Sequence, residues 1–443
     1  MINRSRRRWR SAAAAALAVG SLDAVAGLSL EESLERHRAW LDVDGAAAIA
    51  TADGLTATRA DGFTLAMARR VPPGPALLGA TGPPAGGLQW LVSGGASGGA
   101  LRWRWGGTVH DRDEHRFDFD GSIVSLPLGP GRVYLSSERR HWGPAWTASL
   151  ILDGAAPPVP ALGWRKTDAS RFDTGWLAWL GPWSADVFFG QLSGRLPPEH
   201  VKLIGLRLNL VPLPDLEIGL SRTLQWGGDG RPQDPRSLLR ALLGVDNVEG
   251  PDHSDEPGNQ LGGFDLRYTL RLPRHAALAV YGQAIGEDEA GSLPSRYLGS
   301  AGIDLAFAAG GGTWRLFAER ANTVAGAALG KPFPGTAYRH PLYPSGYAQR
   351  GEPLGHPAGG DVAIDSLGLI AERGPVAATL RVHRGHAEAA APQFAVPGPL
   401  RGADLAVAWR LPAGFSAGAT VAHWRDSSGR RTQAQAWWRL DWR

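Results

Sequence analysis

From about residue 100 onward the chain alternates. Leu101, Trp103 and Trp105 are interleaved with Arg102 and Arg104, and Ile204, Leu206, Leu208 and Leu210 with Gly205, Arg207 and Asn209. Leu216, Ile218 and Leu220 oppose Glu217, Gly219 and Ser221; Phe264, Leu266, Tyr268, Leu270 and Leu272 oppose Asp265, Arg267, Thr269 and Arg271. The device recurs at Ile303/Leu305/Phe307, Leu380/Val382, Leu405/Val407/Trp409/Leu411, and in Ala434, Ala436, Trp438, Leu440 and Trp442 against Gln433, Gln435, Trp437, Arg439 and Asp441. A period of two places successive side chains on opposite faces of a strand, so each predicted strand has one apolar and one charged face.

A soluble sandwich alternates too, with its apolar face inward. Three features favour the opposite arrangement. Arg, Asp and Glu recur at successive positions where they can pair across strands, several runs reach the ~9–11 residues of a spanning strand, and Trp sits at strand ends as in an interfacial girdle. The fold expected is all-β, a transmembrane antiparallel β-barrel. Residues 84–443, at about 20 residues per strand with its connection, give about 18 strands. Asp426 to Gly429 and Leu411 to Gly414 are predicted as short periplasmic turns, and the Gly/Pro-rich stretches 226–262, 284–297 and 322–360 as extracellular loops.

The N-terminal part follows other rules. Arg4, Arg6, Arg7, Arg8 and Arg10 precede an apolar stretch from Ser11 to Leu22 and the small residues Ala24-Val25-Ala26, which predicts a secretory signal peptide over 1–26. Ser29 and Glu32 have capping-box spacing, and Leu30, Leu34 and Leu41 share a stripe, so a short amphipathic helix is expected over 28–41. Segment 27–83 is therefore assigned to an N-terminal helical periplasmic element and 84–443 to the barrel.

Composition narrows the chemistry. The chain has no Cys, which excludes a disulfide framework, a thiolate metal site and a cysteine nucleophile. Removing the predicted leader takes five Arg and one Asp from 46 basic and 42 acidic residues, leaving 41 of each. Bulk charge thus gives no argument for nucleic acid. All basic residues but Lys166, Lys202 and Lys331 are Arg, whose planar fork suits ion-pair networks and the recognition of sugars and carboxylates.

Gly95-Ala96-Ser97-Gly98-Gly99 has the letters of a nucleophile elbow but strand-like flanks on both sides, so it is read as a turn. Gly227-Gly228-Asp229-Gly230 lacks the frame of a phosphate cradle. His383 and His386 would point to opposite faces of a strand, and Glu287, Asp288 and Glu289 lack the spacing of a calcium loop; neither cofactor nor metal is assigned. Arg139, Arg140, His141, Trp142 and Trp146 combine apolar platforms with guanidinium forks, the pairing that sugars and acidic sugars require. Gln225 with Trp226, Asp246 with Asn247, and Asn259 with Gln260 add planar polar groups in predicted loops. Each of these is either a polysaccharide contact or a brace between lumen and loops.

The ordered segments Ser136-Ser137-Glu138-Arg139-Arg140-His141-Trp142-Gly143-Pro144-Ala145-Trp146, Trp179-Leu180-Gly181-Pro182-Trp183, Gln225-Trp226-Gly227-Gly228, Gly258-Asn259-Gln260-Leu261-Gly262-Gly263 and Tyr338-Arg339-His340 through Gly346-Tyr347 to Gly355-His356 resemble the capsule assembly protein Wzi family. The resemblance spans roughly residues 136–365. It implies an 18-stranded outer-membrane barrel of a Gram-negative bacterium, closed at its periplasmic end by a helical element, that acts as a lectin for capsular or related surface polysaccharide and catalyses no reaction. Its implied partners are that polysaccharide, outer-membrane lipid and the export machinery. Two rivals remain in view from the residues alone, a channel or exporter and a glycan-modifying enzyme.

Overall fold

The computed structural model describes residues 62–71, 87–95, 100–110, 117–166, 170–194, 196–243, 258–290, 293–388 and 397–442. The expected leader and the 28–41 helix lie outside the described residues. The strands are β1 (Gly62–Val71), β2 (Gly87–Gly95), β3 (Arg102–His110), β4 (Phe117–Asp118), β5 (Ile123–Leu128), β6 (Gly131–Ser136) and β7 (Ala161–Lys166). They continue with β8 (Trp183–Gln191), β9 (Lys202–Leu213), β10 (Leu216–Trp226), β11 (Gly258–Leu272), β12 (Ala276–Ala290), β13 (Leu293–Ala309) and β14 (Gly312–Asn322). The last are β15 (Ala348–Gln349), β16 (Glu352–Pro353), β17 (Val362–Arg373), β18 (Val376–Ala387), β19 (Gly398–Arg410), β20 (Phe415–Asp426) and β21 (Gly429–Trp442). One eight-residue helix, α1 (Pro235–Leu242), starts at an Asp234 cap and packs Leu238 and Leu242 on the cluster Ile204, Leu224, Trp226 and Ala241.

All strands except the β15–β16 hairpin form one 19-stranded antiparallel sheet. β4 and β5 both pair with β3, so they share one place in the wall, which has eighteen places among the described residues. It closes where β1 pairs with β21, from Phe63 opposite Trp442 to Val71 opposite Ala434. A closed barrel leaves no edge and satisfies every ladder, the condition for a sheet in hydrocarbon. No helix among the described residues is long and apolar enough to cross a membrane.

β1 corrects the expected boundary, because the first strand lies inside the segment assigned to a helical element. Its alternation, Phe63, Leu65 and Met67, is muted by alanines, and its closing partner is some 370 residues away in sequence. Antiparallel order also fixes the two ends. Connections 129–130, 214–215, 273–275, 310–311, 374–375 and 411–414 share one end, and 137–160, 192–201, 227–257, 323–361 and 388–397 the other. The Asp426–Gly429 turn therefore belongs with the long loops, against its expected place beside Leu411–Gly414. Nor is 284–297 an open loop; β12 and β13 carry the hairpin on to Ala290 opposite Leu293.

Burial settles which face is inside. Arg165, Asp186, Arg207, Asp265, Arg267, Asp304, Arg315, Arg381 and Asp404 are buried, whereas Leu135, Leu162, Leu206, Leu266, Val280, Leu316, Leu367, Leu380 and Val421 are exposed. Outward-facing Trp103, Trp105, Trp164, Trp183, Trp314, Trp409 and Trp438 ring the short-turn end of this apolar belt, the height at which indole suits a membrane interface.

Lumen-facing aromatics recur directly opposite glycine on the next strand: Tyr134–Gly163, Phe188–Gly205, Tyr281–Gly302, Phe317–Gly368, Trp424–Gly402 and Trp437–Gly418. A Cβ at Gly205 would overlap the Phe188 ring and one at Gly402 the Trp424 indole, so the missing side chain lets the ring lie flat across the neighbouring strand.

Candidate functional site

Two long-loop connections turn into the lumen instead of standing over it. Residues 137–160, between β6 and β7, are buried almost throughout, and so are 337–338 and 353–362 of the connection between β14 and β17. They hold each other. The Tyr338 hydroxyl donates to the Leu150 carbonyl at 2.7 Å and accepts from the His356 N–H at 3.1 Å. Asp153 N–H donates to the Leu354 carbonyl at 2.7 Å, and the Gln349 amide donates to the Pro158 carbonyl at 3.2 Å. Their apolar residues, among them Trp142, Leu150, Ile151, Tyr338, Tyr343 and Tyr347, make one cluster with Phe188, Leu203, Leu261, Ile285 and Leu298 of the wall.

The wall meets this plug with charge. The Glu319 carboxylate accepts from the Trp146 N–H at 2.5 Å, the Thr147 N–H at 2.9 Å and the Tyr281 hydroxyl at 2.8 Å. Asp304 accepts from the Trp146 indole at 2.9 Å and pairs with Arg267 at 2.8 Å and with Arg315, whose guanidinium lies 4.5 Å from the centre of the Trp146 ring. Gln283 donates to the Trp142 carbonyl at 2.7 Å and accepts from the Leu150 N–H at 2.8 Å. A second network joins Glu138 to Arg104 and, at 3.2 Å, to Arg165; Asp186 takes Arg165 at 3.3 Å, Arg140 at 3.4 Å and the Tyr134 hydroxyl at 2.6 Å. A third runs from Ser366 to His383 (2.8 Å) and on to Asp404 (3.0 Å), which also takes Arg381 at 2.8 Å. Its Ser-His-Asp order is that of a hydrolase triad, but the His383 and Asp404 side chains are inaccessible and Arg381 holds the carboxylate; it braces three strands.

Within the plug, burial opposes charge on Asp153, and hydrogen bonds from His141 (3.1 Å) and from the N–H groups of Ser149 and Ala155 (both 2.9 Å) outweigh it, holding the carboxyl below its usual range. His356 is lowered to about 4 by burial, with His383 adding to the depression and Asp153 opposing it. Burial raises Asp361, whose Oδ1 accepts from the Gly335 N–H at 2.8 Å. Tyr338 and Tyr347 are raised by the same cause.

Most residues predicted to touch a ligand are part of these braces. Trp142 is 0% exposed, and Arg140, His141 and Trp146 are buried; Arg139, half-buried, donates to the Gly154 carbonyl at 2.9 Å. Gln225, Trp226, Asn259 and Gln260 are buried too. Asn259 donates to Gln225 (2.8 Å), Gln225 to the Gly346 carbonyl (3.1 Å), Gln260 to the Ala241 carbonyl (2.8 Å), and the Trp226 indole to Ser237 (3.3 Å). The structure thus brings 139–146 together with each other and with the wall, and places Gln225 and Asn259 against the second inserted loop. Asp246 and Asn247 lie outside the described residues. The void bounded by Glu138, Arg139, Arg140, Asp153 and Phe188 has about 20 Å³, room for about one water and no sugar ring.

His383 and His386 do point to opposite faces, one buried and one exposed. Glu287 leaves its expected solvated run to accept from the Tyr338 N–H at 2.9 Å. The residues missed by sequence reasoning are the wall's own anchors, Gln283, Asp304 and Glu319. Each was visible only as the polar half of an alternating strand; that it faced a plug required the fold.

What remains open to a large ligand is the surface of the long-loop end. There Leu329 to Gly335 are exposed, Phe333 is 51% exposed with the Arg296 guanidinium 4.6 Å from its ring centre, and Arg339 further along the same connection is exposed. An exposed aromatic ring with Arg296 against it, in a connection that also carries the exposed Lys331 and Arg339, offers the stacking and charge that the buried cluster cannot present.

The sequence profile of the capsule assembly protein Wzi family matches residues 48–372, 325 of the 443. A Klebsiella pneumoniae protein described as an uncharacterized 55.8 kDa protein in the cps region is 35% identical over 189 residues, 43% of this chain and 37% of that protein. The chain thus spans well under half the length of that relative. Among solved structures, the Escherichia coli outer-membrane protein Wzi, described as a carbohydrate-binding β-barrel involved in group 1 capsule assembly, superposes with a TM-score of 0.76 at 21% identity, over 94% of this chain and 98% of that one. At that identity the likeness establishes the fold alone.

Proposed function

The chain belongs to the capsule assembly protein Wzi family, and from that premise we propose that it is a non-enzymatic outer-membrane lectin that holds capsular or related polysaccharide at the cell surface. One observation carries the reading beyond the family: the lumen is filled by 137–160 and 353–362, hydrogen-bonded to wall and to each other, which leaves the long-loop surface as the working face. A barrel so packed suits retention better than conduction. The exposed Phe333 platform with Arg296, Lys331 and Arg339 is assigned to the polymer, and the 139–146 cluster to fixing the loops that present it. Export partners would meet the protein from its short-turn side.

The test is binding of the detergent-purified protein to polysaccharide from its own source, with an unrelated neutral glycan as control. Phe333→Ala is expected to weaken saturable binding about tenfold, since stacking on one aromatic side chain is worth on the order of 1 kcal/mol or more, without altering the heat-modifiable barrel. Absence of saturable binding by well-folded protein would sink the lectin reading. A large steady conductance in planar bilayers would instead favour the channel.

A further inference from the structure

The outer wall carries a second population of arginines that the lectin reading does not use. Arg320 on β14 lies in register with Asp365 on β17, Asp365 with Arg384 on β18, Arg384 with Arg401 on β19, Arg401 with Arg425 on β20, and Arg425 with Arg430 on β21. All six are exposed and face outward. Asp365 is taken by Arg320 at 2.8 Å. Among the described residues, Arg384, Arg401, Arg425 and Arg430 have no acidic partner. Four like charges stand shoulder to shoulder on adjacent strands, spanning about 14 Å at ~4.8 Å per strand. Directly opposed like charges destabilise a sheet.

Height decides what compensates them. Two to four residues along the same faces, toward the middle of the wall, stand the exposed apolar side chains Val382, Leu405 and Val421 of the lipid-facing belt. The row crosses the long-loop margin of that belt, below the loops, where headgroups meet the wall.

We propose that Arg384, Arg401, Arg425 and Arg430 form a binding site for the phosphorylated headgroup of an anionic lipid in the leaflet on the long-loop side. The guanidinium fork matches phosphate oxygens in bidentate geometry, and the row offers several forks at one height. The apolar belt beneath receives the acyl chains. The site rests on the membrane-spanning orientation of the barrel and not on the polymer surface around Phe333.

The experiment compares wild type with the quadruple Arg→Gln variant at 384, 401, 425 and 430, both purified in detergent and titrated with bisphosphorylated lipid A, dephosphorylated lipid A or inorganic phosphate, with lipid binding read by native mass spectrometry. Wild type should bind the bisphosphorylated lipid at least tenfold more tightly than the dephosphorylated one, with salt weakening the binding, and the Gln variant should lose that preference. Inorganic phosphate at the same concentration should not displace the lipid. The quadruple Arg→Lys variant, which keeps the charge but loses the fork, should retain only part of the preference, and the double Arg401→Gln/Arg425→Gln variant should show an intermediate loss should the full set not assemble. Equal binding by wild type and Gln variants, or equal binding of both lipids by wild type, overturns the proposal. Loss of source-polysaccharide binding with lipid binding intact overturns it as well, by assigning the row to the polymer; intact lipid preference in a protein that binds no polysaccharide would sink the lectin reading alone.

Discussion

Arg381 and Arg384 sit three residues apart on one strand and have opposite fates. Arg381 is buried in the lumen wall, where Asp404 takes it at 2.8 Å beside His383; Arg384 stands on the outer wall between Asp365 and Arg401 with no acid of its own. The difference is parity alone, because a strand sends odd and even positions to opposite faces. Inside, every charge singled out above has a partner from another strand or from the plug, as burial requires. Outside, Arg320 finds Asp365, but the compensation of the four arginines next to them is left to the surroundings. The lumen is a closed electrostatic system and the outer wall an open one.

The harshest way to break this comparison is to abolish the distinction between inside and outside. Residues 438–442 form the seam, pairing with Phe63 to Met67 of β1, while 438–440 also pair with Phe415 to Ala417 of β20. Deleting 438–443 removes half of the closing ladder, and loss of the heat-modifiable species from outer membranes is the expected outcome. Undiminished barrel would show that closure does not depend on this register.

Next in size is a matched pair of charge deletions. Asp304→Ala strands Arg267 and Arg315 in the lumen and takes the acceptor from the Trp146 indole; removing one partner of a buried pair costs about 3–5 kcal/mol. Asp365→Ala removes the partner of Arg320 on the outer face, where both side chains are more than half exposed and the pair contributes about 0–1 kcal/mol. Denaturant midpoints of the two variants in detergent should differ accordingly. Equal costs would mean that water reaches the lumen pairs as freely as the outer ones.

The sequence makes this division legible to a large extent. Period-two runs such as Phe264 to Leu272 give strand, face and approximate number at once, and charged inner faces with apolar outer ones define a membrane barrel. What it conceals is anything set by distant pairing. β1 is a short alternation diluted by alanine and is recognisable only beside β21. The Asp426–Gly429 turn looks like any tight turn, and its end of the barrel follows from counting strands. Arg139 to Trp146 have the composition of a sugar site, and nothing local says that Glu319 and Asp304, more than 150 residues away, will take their backbone and indole N–H groups. The outer arginine row is likewise invisible until registers are known, because its members are spread over strands that are neighbours only in the sheet.

Acid provides the subtlest separation of the two walls, since Arg does not titrate in any accessible range while plug groups do. His356 is held neutral by burial, with a pKa lowered to about 4 from 6.5. Between these values the unfolded or undocked chain binds a proton that the docked plug refuses, so stability falls as pH drops from about 6.5 and the loss is complete below about 4, amounting to about 3 kcal/mol if the whole shift is lost on undocking. Asp153 acts in the same direction: its carboxyl is held below its usual range, so the stability it contributes is present at neutral pH and disappears as pH falls through the docked value. Acidification from pH 7 to about 4 should therefore loosen 353–362 from the lumen through His356, while the outer arginines keep their charge throughout. Single-cysteine variants in the plug, made simple by a chain that has no Cys, would report the loosening as a rise in labelling by a small thiol reagent, corrected for the reagent's own pH dependence. In a His356→Asn background the acid response should shrink. A response that is unchanged there would show that His356 is not the group whose protonation loosens the plug; Asp153, held below its usual range, comes into play only at still lower pH.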